Sequence, residues 1–174
     1  MNSYYRAENI LPVKSLEALK SYVFSVEDGF QPAKVTPVVP GFRVASVLFF
    51  PVIPTDVKLL IQKHVELASI ALSVTLSGKV ETQITRTPNG GYFKRHIDNT
   101  IDNWRTLSYV FYFGESIKSG ELSIDVPGSS IQIAPCCNSI VVFRSSVHHE
   151  VLPVVCGDAF TEGRFTVNGW VGGL

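Results

Sequence analysis

Cysteine is scarce in this chain, with three residues (Cys136, Cys137 and Cys156) among 174. An odd count with two neighbours adjacent is no disulfide framework, and the C-x-x-C spacing of a structural zinc site is missing. Reduced, buried thiols are expected. Net charge is missing as well: fifteen basic residues balance fifteen acidic ones. No overall field draws the chain to a polyanion, so a nucleic-acid partner is not expected. No apolar run approaches the roughly 20 residues that a membrane span needs, which argues against a membrane partner. Met1 to Leu11 carries charges and no apolar signal-peptide core, and no Asn-x-Ser/Thr sequon occurs. Together these absences predict a cytoplasmic, reducing location. A hydrophobic share of 45% against 17% charged residues excludes a disordered chain. The length suits one domain with its own core.

No repeat, low-complexity tract or long linker interrupts the sequence. The Pro/Gly-rich stretch Gln31 to Gly41 is too short and too apolar to divide two domains. A short helix is expected over Ser15 to Phe24. A longer one follows Pro54, with Thr55 as N-cap and Asp56 in the first turn, where the helix dipole favours an acid. Val57, Leu60, Ile61, His64, Val65, Ala68, Ala71 and Leu72 then form one apolar stripe, and Gly78 is the expected stop. On that stripe His64 reads as a hydrogen-bonded core histidine.

After Lys79 the texture changes to short β-branched and aromatic runs between turn residues. Val80 to Thr87 and Tyr92 to Asp98 read as a hairpin closed by Pro88-Asn89-Gly90-Gly91. Further strands are expected at Leu107–Phe113, Glu121–Asp125, Ser130–Ala134, Ser139–Arg144, Glu150–Val155 and Arg164–Val171. With the run Arg43–Phe50 they number eight or nine, the pattern of a sandwich or barrel. Helices precede strands, which argues against a parallel βαβ sheet. The expected fold is mainly β, a jelly roll (double-stranded β-helix, cupin-like) with the N-terminal helices packed on one outer face.

Chemistry concentrates in two places. In His96-Ile97-Asp98 the first and third residues of a strand project to the same face, so an imidazole and a carboxylate can converge on one ion. That pattern is weak alone. Further on stands Phe143-Arg144-Ser145-Ser146-Val147-His148-His149-Glu150-Val151, and fifteen positions after His149 comes Arg164. Two histidines and one carboxylate on one face leave three octahedral positions open, the facial arrangement used by non-heme Fe(II) oxygenases. A buried arginine beyond them offers a planar fork to a carboxylate.

The stretch from Glu81 to Trp170 resembles the 2-oxoglutarate- and Fe(II)-dependent dioxygenases of the prolyl 4-hydroxylase-like branch. The matching text is N-G-G-Y-F-K-R-H-I-D-N, R-T-L-S-Y-V-F-Y-F, G-E-L-S-I, N-S-I-V-V-F-R-S-S-V-H-H-E-V-L-P-V and G-R-F-T-V-N-G-W. The resemblance implies His96, Asp98 and His149 as iron ligands, Arg164 on the distal carboxylate of 2-oxoglutarate, and Tyr112 helping to hold that carboxylate. Tyr112 is equally readable as a core aromatic on its strand. The H-E-V-x-P context favours His149 over His148, and alternation turns His148 to the other face. Trp170 matches a pocket-wall tryptophan.

The resemblance further implies Fe(II), 2-oxoglutarate and O2 as reactants, with ascorbate as reductant. The reaction is hydroxylation of a C–H bond with release of succinate and CO2 and no side-chain general base. Residues 1–78 would support a catalytic jelly-roll core of residues 79–174. A prolyl residue of a peptide or protein is the leading substrate, crossing the barrel mouth near Tyr92 and Asn99–Trp104. A free amino acid or other small molecule is the alternative. Where relatives often place a tyrosine before the turn, this chain has Arg86-Thr87, so another group must line that part of the pocket. The rival readings are a metal cupin that needs no 2-oxoglutarate, a jelly-roll binding module with an inactive site, and a serine hydrolase using Ser145 or Ser146. The last lacks a nucleophile elbow.

Overall fold

The structure is a computed structural model that describes residues 2–35, 39–99, 104–115 and 117–173. The stretch 36–38 within the Pro/Gly-rich segment lies outside them. In chain order the strands are β1 (Tyr4–Glu8), β2 (Gln31–Pro32), β3 (Arg43–Val44), β4 (Ser46–Phe49), β5 (Leu76–Thr87) and β6 (Tyr92–His96). They continue as β7 (Arg105–Tyr112), β8 (Leu122–Val126), β9 (Ser129–Ile133), β10 (Ser139–Arg144), β11 (His149–Val151) and β12 (Arg164–Gly173). Two helices, α1 (Val13–Ser25) and α2 (Thr55–Ala71), precede most of them.

All ladders are antiparallel and fall into two sheets. The larger has seven strands in the order β1-β10-β7-β12-β5-β4-β2, and the smaller has five in the order β3-β6-β11-β8-β9. This is the expected jelly roll. The strict period of two along each strand assigns the layers. On β7, Leu107, Tyr109 and Phe111 join the helices in one core, whereas Val110 and Tyr112 face the second sheet. On β10, Ile140 and Val142 face the helices, and Val141 and Phe143 pack between the sheets with Leu122, Ile124 and Ile133. On β12, Phe165 and Val167 turn to the helices. The alternate residues Arg164, Thr166, Asn168 and Trp170 turn to a cavity between the sheets. Both helices lie on the outer face of the larger sheet, as expected.

Several local expectations are corrected. The runs on either side of Pro88–Gly91 do not form a hairpin: β5 pairs with β12 and β4, and β6 pairs with β11 and β3. The turn instead carries the chain from one sheet to the other. Gly90 takes a positive φ of 71°. A Cβ on Gly91 would meet Thr87 Cγ2 and the Val44 carbonyl at 2.7 Å, so the strands diverge where only glycine fits. The run Arg43–Phe50 likewise divides, with β3 in the smaller sheet and β4 in the larger. The sequence reading also lacks the edge strands β1 and β2.

Helix α2 opens one residue early. Pro54 occupies the N-cap and Thr55 the first turn, with no side-chain cap. The helix also stops before Gly78, which sits at φ 82° within β5. Its terminator is Ser73, in the left-handed region at φ 53°. The Ser73 N–H donates to the Ile70 carbonyl at 3.1 Å and the Val74 N–H to the Ser69 carbonyl at 2.8 Å, a Schellman pair closed without glycine. The Arg144 guanidinium donates to the Leu72 carbonyl and covers another orphan acceptor of the helix end. The buried stripe is Val57, Ile61, Val65, Ala68 and Leu72; each of its larger members contributes about 1.5–3 kcal/mol by leaving water. Ala71 falls on the exposed side. His64 is half-buried and shares a 2.8 Å hydrogen bond with the Tyr5 hydroxyl, as expected of a core histidine.

Ser73 is exposed and strained only by its backbone. Ser73→Gly is expected to raise stability by about 0.5–1 kcal/mol. A urea titration should show a higher midpoint at unchanged slope; a lower midpoint would contradict this account of the helix end.

Candidate metal centre

His96 ends β6, and His149 opens β11 directly opposite it in the ladder. Facing residues of an antiparallel pair share a side of the sheet, so the two rings meet with centroids 4.2 Å apart. Asp98 lies two residues past His96, beyond the strand end, where its N–H donates to the Ser145 carbonyl at 2.9 Å. The ligating atoms of His96, Asp98 and His149 all fall within 4.8 Å of one another. His96 Nε2 is 3.6 Å from Asp98 Oδ1, and His149 Nε2 is 3.4 Å from Asp98 Oδ2. His148 is exposed and stands outside this group.

The far side of each ring is pinned by the backbone. His96 Nδ1 lies 2.7 Å from the Lys94 carbonyl and His149 Nδ1 lies 2.9 Å from the Val147 carbonyl. A carbonyl only accepts, so Nδ1 carries a proton in both rings and each Nε2 is left facing Asp98, where it donates to the carboxylate when protonated and is free to ligate a metal when not. Burial, joined by the neighbouring His149, holds the His96 pKa below its ordinary value against the opposing pull of Asp98. Burial alone would raise Asp98, but hydrogen bonding and charge from the two imidazoles hold it well below the usual carboxylate range. Two neutral imidazoles and one carboxylate are the donor set that suits a divalent first-row metal. Phe93 stacks on His96 with centroids 3.6 Å apart, and Phe143 meets His149 edge-on at 4.6 Å.

The carboxylate has its own support. Ser108 Oγ donates to Asp98 Oδ2 at 2.7 Å and lies 2.9 Å from Ser145 Oγ. Ser145 is fully buried here; its carbonyl accepts from the Asp98 N–H and its hydroxyl meets Ser108, a role unlike that of a hydrolase nucleophile.

Across the cavity stands Arg164 on β12, 2% exposed. Its Nε donates to the Gly120 carbonyl at 2.9 Å and its Nη2 to the Tyr112 hydroxyl at 3.3 Å. Among the described residues no carboxylate lies within 4.0 Å of it. A buried guanidinium without a counter-ion, lining a cavity, fits an acidic ligand. Tyr112 touches Arg164 from behind. The residue packs in the inter-sheet core and does not line the cavity; burial raises its hydroxyl pKa, opposed by the Arg164 charge.

Trp170 lines the cavity, with the Arg105 guanidinium 3.9 Å over its ring. At the position before the turn where the sequence has Arg86-Thr87, Thr85 and Thr87 line the wall. Arg86 turns outward, donating to the carbonyls of Phe160 and Ala159 at 2.8 and 3.1 Å. Of the expected mouth, residues 100–103 within Asn99–Trp104 lie outside the described residues. The sequence reading missed Arg43, Ser108 and Ser145 as parts of this site. Arg43 sits in the cavity wall, and only the inward parity of the G-F-R-V-A-S-V text could have signalled it.

A family profile described as "2OG-Fe(II) oxygenase superfamily" matches residues 82–172, more than half of the chain. The chain belongs to the 2OG-Fe(II) oxygenase superfamily. Among curated relatives of this oxygenase, an uncharacterized PKHD-type hydroxylase of Synechocystis is 27% identical over 191 aligned positions, covering 97% of this chain and 63% of that protein. A PKHD-type hydroxylase of Maricaulis maris is 29% identical over 124, covering 69% and 53%. The chain thus spans between half and two thirds of these relatives' length. In fold the oxygenase matches a Pseudomonas putida prolyl-4-hydroxylase with a TM-score of 0.79 at 22% identity, covering 100% of this chain and 94% of that one. It also matches a Trichoplax adhaerens prolyl hydroxylase, solved with a hypoxia-inducible-factor peptide fragment, at 0.78 and 16% identity, covering 99% and 84%.

The carbonyl contacts predict the ring tautomers. In metal-free protein above the imidazole titration range, long-range nitrogen–proton NMR spectra should show His96 and His149 as Nδ1–H tautomers and a mixture for exposed His148. An Nε2–H form at either of the first two would contradict the arrangement.

Proposed function

We propose that this protein is an Fe(II)- and 2-oxoglutarate-dependent dioxygenase that hydroxylates a substrate C–H bond, with succinate and CO2 as co-products. The observation that carries the reading is one cavity holding both the His96–Asp98–His149 group, with His149 buried and the other two half-buried, and the guanidinium of Arg164, which has no carboxylate within 4.0 Å among the described residues. His96 Nε2, Asp98 and His149 Nε2 would hold the iron. Arg164 would take the distal carboxylate of 2-oxoglutarate as a charge-assisted fork. Bound iron with 2-oxoglutarate and O2 supplies the oxidising power for the C–H bond. The chain's own residues bind and orient. Lys94 and Val147 carbonyls fix the imidazoles, Ser108 and Ser145 fix the carboxylate, and Phe93, Phe143 and Trp170 exclude water. Tyr112 positions Arg164 through its hydroxyl. Ascorbate would serve as reductant.

The leading substrate is a prolyl residue of a peptide or protein, with a free amino acid or other small molecule as the alternative. The hydroxylase names of the curated relatives and the prolyl-hydroxylase folds support it. We read residues 1–78 as support for the catalytic core of 79–174 within a single domain, since β1, β2 and β4 are hydrogen-bonded into the same sheet as β5, β7, β10 and β12. A cytoplasmic location is supported by three free cysteines. No helix among the described residues is long and apolar enough to cross a membrane.

The test is succinate formation by purified protein with Fe(II), ascorbate and 2-oxoglutarate. His149→Ala should abolish it. Arg164→Met should raise the 2-oxoglutarate concentration required by about 10–100-fold, the loss of one charge-assisted carboxylate contact. Full turnover by Arg164→Met without 2-oxoglutarate would favour the metal cupin; no binding of either metal or 2-oxoglutarate would favour the inactive module. Ser108→Ala should weaken Co(II) binding by about 10–100-fold while the melting profile stays cooperative, because the lost partner orients Asp98. Unchanged Co(II) affinity would remove Ser108 from the site.

A further inference from the structure

Arg164 is not the only arginine in the cavity. Arg43, on β3, faces Phe93 in the ladder and lines the same space as His96, Asp98 and His149. Its guanidinium lies 4.6 Å over the Phe93 ring, and its Nη2 donates to Thr85 Oγ1 at 3.3 Å. Phe93 in turn stacks on His96, so this cation abuts the metal-ligand set through one shared aromatic. Among the described residues no carboxylate lies within 4.0 Å of Arg43. Burial pulls its pKa down to about 10, with Asp98 opposing and the like charge of Arg164 adding to the fall. The group remains a cation at neutral pH.

The charges in the cavity do not balance with the cosubstrate alone. Asp98 is the only acid among the lining residues, against two arginines. A divalent ion and the dianion 2-oxoglutarate cancel each other and leave that excess of one cation. A half-buried guanidinium with no carboxylate in contact is unfavourable, and a planar fork is best satisfied by a carboxylate. Thr85 and Thr87 line the same wall as Arg43, and their short side chains leave its guanidinium facing the cavity.

We propose that Arg43 anchors a carboxylate of the substrate, so that the molecule hydroxylated is a free amino acid or the C-terminal residue of a peptide rather than an internal residue of a protein chain. This rests on the dioxygenase reading above. It narrows the substrate class and adds Arg43 as its specificity determinant. A substrate held this way lies with its carboxylate against Phe93 and its side-chain carbons toward the open face of the metal group.

The experiment uses Mn(II)-loaded protein under nitrogen, so that binding is read without turnover. Calorimetric titration first measures 2-oxoglutarate. With 2-oxoglutarate saturating, it then measures the standard free L-amino acids and their carboxamides, followed by short proline-ending peptides as acids and amides. At least one acid is expected to bind about 10–100-fold more tightly than its amide. Arg43→Gln should remove that preference, Arg43→Lys should restore part of it, and 2-oxoglutarate affinity should stay within about three-fold of wild type. The free-acid and peptide arms separate a metabolite from a chain terminus. Amides that match acids in the wild type overturn the proposal even if Arg43→Gln fails to fold. So does a preference that survives in Arg43→Gln, or the binding of 2-oxoglutarate with none of the acids. Failure of 2-oxoglutarate itself to bind sinks the dioxygenase reading as well, a result distinct from the others.

Discussion

The period-two alternation of the central strands β7, β10 and β12 is the constraint on which everything else depends. These strands stand between helices and site, so each must send apolar side chains one way and another set the other way. On β12 the odd positions Phe165 and Val167 seal the helix-side core, and the even positions Arg164, Thr166, Asn168 and Trp170 furnish the cavity. A slip of one residue in register would place Arg164 in the helix-side core and Phe165 in the cavity. The helices are therefore part of the site's definition. By burying Val57, Ile61 and Val65 against the outer face, they fix which parity of each strand is free to do chemistry.

Much of the metal group was legible because its signals are local. His-x-Asp needs only a strand, and His149 is set apart from His148 by the same alternation. Most strand positions in the second half were readable within a residue or two for the same reason, and β10 begins and ends where expected; β11, expected over Glu150–Val155, stops at Val151. What failed was information that is not local. Pro-Asn-Gly-Gly reads identically whether the flanking strands pair or part. Their true partners, β12 for β5 and β11 for β6, lie far along the chain. The end of α2 misled for a different reason: glycine is the usual left-handed residue, and here serine takes the position. Arg43 carried no motif at all, being one arginine on a two-residue strand of the smaller sheet until Thr85 of the larger sheet faced it.

Hydrogen bonding explains why so many polar side chains are tolerated between the sheets. Among the described residues, no buried side-chain nitrogen or oxygen lacks a partner. Each imidazole leans on a backbone carbonyl, and Arg164 on a carbonyl and a phenol. Asp98 takes a serine hydroxyl. Hydrogen bonds therefore satisfy the groups individually while net charge is left over, which separates a site that folds without its ligands from one that is at rest without them.

His96 and His149 belong to the five-stranded sheet and Arg164 to the seven-stranded one. The two imidazoles are cross-strand neighbours in a single ladder, so their spacing is insensitive to any breathing of the sandwich. The distance from them to Arg164 is set by how closely the layers pack. A diacid reaching from one side to the other works as a strut between the sheets. Its length is gauged by the sandwich, and its occupancy stiffens the sandwich in return, since whatever binds across the gap stabilises the packed state by mass action.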